Sequence, residues 1–177
     1  MKLVPLNSLI SLRHLLLAFS LLALAACGFQ LRGMTEMGFQ KIYLQKNSSS
    51  TALAKELRRS LISSGVEVVA IPEEAEMLLE LMGETTEKNI LSLSGGGKVR
   101  EYELIYRVTM RLRPASSELW GEPQLIEQRR DYSYDDTQLL AKEGEEARLY
   151  SDMRSDTARE ILRRLNAINA GTPKAAN

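Results

Sequence analysis

The stretch from Glu101 to Arg113 constrains the fold more than any other part of the chain. Tyr102, Leu104, Tyr106, Val108, Met110 and Leu112 alternate with Glu101, Glu103, Arg107, Thr109, Arg111 and Arg113, and only Ile105 interrupts the polar set. Successive side chains of a strand point to opposite faces, so this pattern predicts a long strand with one buried and one wet face. A sheet with one wet face is the habit of antiparallel pairing. The flanks agree. Ser94-Gly95-Gly96-Gly97 precedes the strand and suits a hairpin, because glycine accepts positive φ. Before that loop, Glu76 to Ser94 is β-rich, with Met77, Leu79, Leu81, Ile90, Leu91 and Leu93. After it, Pro114 to Pro123 reads as a loop holding Trp120. Gln124 to Tyr134 reads as a further strand with Ile126, Tyr132 and Tyr134 on one face. Upstream, Phe39 to Gln45 and the β-branched Val66 to Ile71 predict two more strands.

The apolar face needs a cover, and two segments have helical periodicity. Leu53, Leu57 and Leu61 recur every four residues among Lys55, Glu56, Arg58 and Arg59, after a capping residue at Ser50 or Thr51. Gly65 suits a left-handed C-terminal cap. A last helix is expected from about Glu145 to Ile168, through Ala147, Tyr150, Met153 or Arg154, Ala158, Ile161 and Leu165. Glu145 and Glu146 would favour its positive N-terminal end. The reading is an α+β two-layer sandwich, with two helices packed on one face of a mostly antiparallel four- to five-stranded sheet. Residues 39–168 form the single domain, and residues 169–177 read as a disordered tail. The regular strand–helix alternation of a dinucleotide-binding fold is missing.

The N-terminus is of another kind. Lys2, Arg13 and His14 precede a nearly unbroken apolar run from Leu15 to Ala26. That is about 12 residues, where a bilayer span needs about 20. A positive flank, a short apolar core and small residues before a break mark a cleaved secretion signal over residues 1–26. Leu24-Ala25-Ala26-Cys27 fits a lipoprotein cleavage box. Cys27 is then the residue that carries a diacylglycerol on sulfur and an acyl chain on nitrogen, at the head of a tether over residues 27–38. An ordinary signal with a chance cysteine is the plainer alternative. Gly28, in place of the Asp that retains bacterial lipoproteins in the inner membrane, predicts the outer membrane.

This processing removes chemistry. The only histidine, His14, leaves with the signal, and the lipid consumes the only cysteine. Ser-His-Asp triads, Cys-His pairs and the usual zinc sites are therefore excluded. Lys2 and Arg13 also leave, so 21 basic residues stand against 23 acidic ones, a net charge of −2. No basic excess points to nucleic acid. No metal and no cofactor beyond the covalent lipid is expected. Carboxylate catalysis stays possible.

Four constellations merit weighing. Ser94 to Lys98 superficially resembles a phosphate loop, but a strand follows it, and no Ser or Thr follows Lys98, so a hairpin turn is the better reading. Arg107, Arg111 and Arg113, extended by Arg129 or Arg130, form a basic stripe on the wet face. They could meet phosphate groups or pair with Glu101, Glu103 and Glu127 across strands. Asp131, Asp135 and Asp136 lack the spacing of a calcium loop. Lys142, among Asp136, Glu143, Glu145 and Glu146, has an ordinary role as their local partner.

Two segments carry a family resemblance: Cys27-Gly-Phe-Gln-Leu-Arg-Gly33 after the cleavage box, and the run from Ala141-Lys142-Glu143 through Asp152-Met153 to Ile161-Leu-Arg-Arg-Leu165. Together they resemble the LptE family of lipopolysaccharide-assembly lipoproteins, over essentially the whole mature chain. The resemblance implies two helices on a sheet, seated as a plug inside the β-barrel of LptD. It also implies help in assembling that barrel and in delivering lipopolysaccharide to the outer leaflet. It further implies lipopolysaccharide contact through basic residues near a strand end and after the last strand. Lys142 matches the second position. For the first, Lys98 and Arg100 beside the glycine hairpin are the nearest residues, and Arg107 and Arg111 on the wet face are further candidates. Two other classes remain open: a lipoprotein glycosidase using two opposed carboxylates, and a periplasmic adaptor without a lipid ligand.

Overall fold

The computed structural model describes residues 37–47 and 50–170. These residues belong to one compact unit. The leader, Cys27, most of the tether and the tail from residue 171 lie outside the described residues.

The elements follow in the order β1 (Lys41–Lys46), α1 (Thr51–Ser63), β2 (Glu67–Val69), a 3-10 turn (Pro72–Glu74), β3 (Met77–Leu93), β4 (Val99–Pro114), β5 (Gln124–Ser133), a second 3-10 turn (Asp136–Gln138) and α2 (Leu139–Ala170). The sheet order is β2-β1-β3-β4-β5. The expected two-layer sandwich is what forms, with a mixed sheet. β1 runs parallel to both β2 and β3, whereas β3–β4 and β4–β5 are antiparallel. The parallel part follows from connectivity, since α1 crosses over between β1 and β2. Beyond Leu81 the β1 ladder stops, and β3 and β4 continue as a long hairpin paired out to Leu93 and Val99.

The alternation of β4 is realised. Leu104, Tyr106, Val108, Met110 and Leu112 join one core with Ile42, Leu79 and Leu81 of the sheet. Leu53, Leu57 and Leu61 of α1, and Met153, Ala158, Ile161 and Leu165 of α2, close the same core. Both helices therefore cover one face, as their apolar spacing requires. Ser50 does cap α1 by position, but its hydroxyl donates to Asn47 Oδ1 and accepts no helix N–H. Gly65 has φ 83° and ends the helix as expected. Ser94 and Lys98 close the hairpin, with Gly97 at φ 77°.

Several boundaries move. The first strand starts at Lys41 rather than Phe39, and the second shrinks to three residues. The largest correction is α2, which begins at Leu139, six residues before Glu145. Glu145 and Glu146 are thus not in its first turn, and the first turn holds no acid. The expectation of a single apolar face also needs correction. Leu78 points away from Met77 and Leu79, and with Val69 and Ala75 it forms a small second cluster that takes in Tyr43 and Trp120. The segment linking β2 to β3 and the Trp120 loop both fold onto that outer face.

Candidate functional site at the distal end of the sheet

The five basic candidates separate into two groups. Lys98 and Arg100 lie at the hairpin end of β4, and Lys142 lies in the first turn of α2, not in a loop before it. The charge of Asp135 is stabilised by both Lys98 and Lys142, which puts the hairpin and the helix start at the same end of the molecule. Arg107 and Arg111 stand further back, on the outer face of β4.

At the distal end, Ser94, Gly97, Lys98 and Val99 face Tyr134, Asp135 and Asp136 across an open pocket of about 500 Å³. Asp135 accepts hydrogen bonds from the Thr137 backbone N–H and hydroxyl, which hold its carboxyl below the usual range and order the turn into α2. Lys98 Nζ meets Asp136 at 3.0 Å, which raises the lysine above its ordinary value. Lys142 Nζ meets Glu145 at 2.8 Å and Ser133 Oγ at 3.3 Å, with its side chain 15 % exposed. The local-partner role of Lys142 is therefore present in the fold. Arg100 is exposed and has no ion pair among the described residues. Leu91, Leu93, Leu139 and Leu140 are exposed nearby in sequence, so the end offers both charge and apolar surface.

Sequence reasoning missed the group that fastens α2 to this end. Lys88 Nζ lies 4.2 Å from the Tyr102 ring centroid, and Tyr132 and Tyr134 lie within 6 Å of the same charge. Glu146 of α2 reaches Lys88 at 2.5 Å and accepts from Tyr132 Oη at 2.7 Å. Burial works against the Lys88 ammonium, but these hydrogen bonds and charges outweigh it and push its pKa well above the ordinary value. Burial likewise works against the Glu146 carboxylate, and the same partners outweigh it, lowering its pKa. Tyr150 Oη donates to the Glu87 carbonyl at 2.8 Å. The tyrosines were legible on β4 and β5, but the β3 register was not, because irregularities at Leu81/Gly83 and Ile90/Ser92 break its alternation.

The outer-face arginines are spent within the sheet. Arg107 pairs with both Glu87 and Glu127, and Arg129 pairs with Glu127 at 2.7 Å and Glu103 at 3.0 Å. Glu87 and Arg129 flank Ile105 in the register, and Glu103 and Arg107 flank it along β4. These long side chains roof Ile105, which is 3 % exposed although it points away from the core. Arg111 pairs with Glu80 at 2.5 Å and stacks on Trp120. Arg113 stacks there too and bonds the Ser117 carbonyl. Arg130 goes elsewhere: it pairs with Asp156 of α2. The cross-strand reading of the stripe thus describes the geometry.

Comparison with known proteins agrees with this architecture. The model of the LptE family, described as lipopolysaccharide-assembly, matches residues 39–165. The LPS-assembly lipoprotein LptE of Yersinia enterocolitica is 28 % identical over 165 residues, covering 92 % of this chain and 79 % of that protein. Among solved structures, lipoprotein B from Nitrosomonas europaea is 37 % identical with a TM-score of 0.70, over 81 % of this chain and 94 % of that one. The rare lipoprotein B from Shewanella oneidensis is 31 % identical with a TM-score of 0.66, over 73 % and 96 %. Two helices on this five-stranded sheet, matched to the family from β1 through most of α2, make the chain a member of the LptE family.

Proposed function

We propose that this protein is a lipid-anchored outer-membrane component of lipopolysaccharide transport. It is held by acyl chains on Cys27, sits within the LptD β-barrel and contacts lipopolysaccharide at its distal end. The observation that carries the reading is the family match across residues 39–165, joined by relatives named for lipopolysaccharide assembly. Two physical features support it. A broad sheet face of mutually paired Arg and Glu suits the polar lumen of a large barrel. At the other side, Lys98, Arg100 and Lys142 near exposed leucines suit a ligand with phosphates and acyl chains. On the outer sheet face Glu80, Glu87, Glu103 and Glu127 are engaged by guanidinium groups, which favours this reading over a glycosidase there.

Copurification tests the partnership. Tagged full-length protein, extracted from outer membranes, is expected to bring LptD with it in fixed proportion. Recovery without any β-barrel would overturn the proposal. Cys27→Ala is expected to yield protein without lipid by mass spectrometry. Lys142→Asp, folded by circular dichroism, is expected to bind lipopolysaccharide more weakly, most clearly at low salt.

A further inference from the structure

Most cations of this fold are already answered by carboxylates, and the exceptions are informative. Ion pairs account for Lys41, Lys88, Lys98, Arg107, Arg111, Arg129, Arg130, Lys142, Arg154, Arg159, Arg163 and Arg164. Seven other cations have no ion pair among the described residues. Arg59, Arg100, Arg113 and Arg148 share no pocket, whereas Lys46, Lys55 and Arg58 line one groove, where Lys46 Nζ donates to Thr51 Oγ1 at 3.4 Å. The groove lies between α1 and the β1–β2 edge of the sheet, with a volume of about 440 Å³. Leu44, Ala54, Val68 and Val69 contribute an apolar lining, and no Asp or Glu lines it. Lys55 and Arg58 are three apart on one helix, so their heads share a face, and Arg59 is next to them at the i+4 position. Thr51, in the first turn of α1, also lines the groove, so the positive end of a 13-residue helix adds to the field.

From this we infer that the groove is a binding site for the head of a phosphate-bearing lipid. Lys46, Lys55 and Arg58 hold the phosphate, and the adjoining carbons rest on Leu44, Ala54 and Val68. Clustered cations without counter-charges repel one another, and a phosphate relieves that repulsion while the Arg fork and ammonium groups donate to its oxygens. An extended acidic peptide fits less well. Arg58 Nη2 already takes the Val68 carbonyl at 3.3 Å on the edge strand, so one main-chain acceptor is occupied. A compact head with an apolar stem uses both halves of the groove. The site is separate from the hairpin end and does not depend on the barrel partnership.

The test uses the full-length chain in nonionic-detergent micelles, with methyl NMR signals of Leu44, Ala54 and Val68 as reporters. Micelles doped with phosphatidic acid are expected to shift these signals saturably, while phosphatidylcholine and inorganic phosphate are at least about tenfold weaker. Lys55→Glu and Lys46→Gln, each with an otherwise unchanged spectrum, are expected to weaken the response about tenfold and several-fold. Lys142→Asp is expected to leave it unchanged. An undiminished response in both groove variants overturns the inference, as does equal binding of inorganic phosphate or tighter binding of oligoglutamate. Loss of the response only in Lys142→Asp places the lipid at the hairpin end, which sinks this site and leaves the proposed function standing. Intact groove binding without copurifying LptD does the reverse.

Discussion

Tyr106 fills the core beneath α2, and its hydroxyl donates to Glu84 Oε1 at 2.8 Å. Burial raises the tyrosine pKa strongly and Glu84 adds to the shift, so it stays a neutral donor at any working pH. The Glu84 side chain is 9 % exposed, Arg154 Nε stands 3.7 Å away, and Glu84 Oε2 has no partner. Tyr106→Phe conserves the packing yet strips a buried carboxylate of its only close donor. It is expected to cost about 1–3 kcal/mol in urea unfolding, far more than its volume change implies. Glu146 gives a pH signature. Its pKa is lowered in the fold, so its contribution is present above the ordinary carboxylate value and fades as pH falls through the depressed one. Between about pH 5 and about pH 3, the parent is expected to lose more stability than Glu146→Gln does, which a pair of denaturation series would show. Neither residue announced its role in the sequence. Tyr106 was legible as core, but a partner on β3 requires the register, and Glu146 requires knowing where α2 starts.

Helix α2 has two unlike halves. From Met153 onward it buries Met153, Ala158, Ile161 and Leu165 in the main core. Its first turns instead rest on the tyrosine–lysine group, and Gly144 interrupts them. That missing side chain hides the start of the helix in the sequence: the apolar period fades before Tyr150, and Gly144 resembles a boundary rather than an interior position. A methyl group built at Gly144 meets nothing within 4 Å. Gly144→Ala is therefore expected to stabilise the protein by about 0.5–1 kcal/mol, seen as a higher Tm and slower amide exchange over residues 139–150. Gly97 contrasts with it. At φ 77° in the hairpin, Gly97→Ala is expected to cost about 1 kcal/mol, despite equally open space.

Across the whole molecule, period-two and period-four patterns were enough for the layers, because each element presents one apolar face to a common core. They were not enough for the sheet order. Nothing local in Lys41–Lys46 says that it lies between β2 and β3, since both partners come later in the chain. The parallel crossover and the small outer cluster of Val69, Ala75 and Leu78 are products of that placement. The same arrangement has a mechanical meaning. The proposed anchor joins the folded unit through the residues that lead straight into β1, an interior strand with ladders on both sides. Tension along β1 would load those two ladders in shear together. The same tension along β2 or β5 would load a single ladder. If the proposed anchor bears load, the chain takes it on two ladders of the sheet interior rather than on one at its edge.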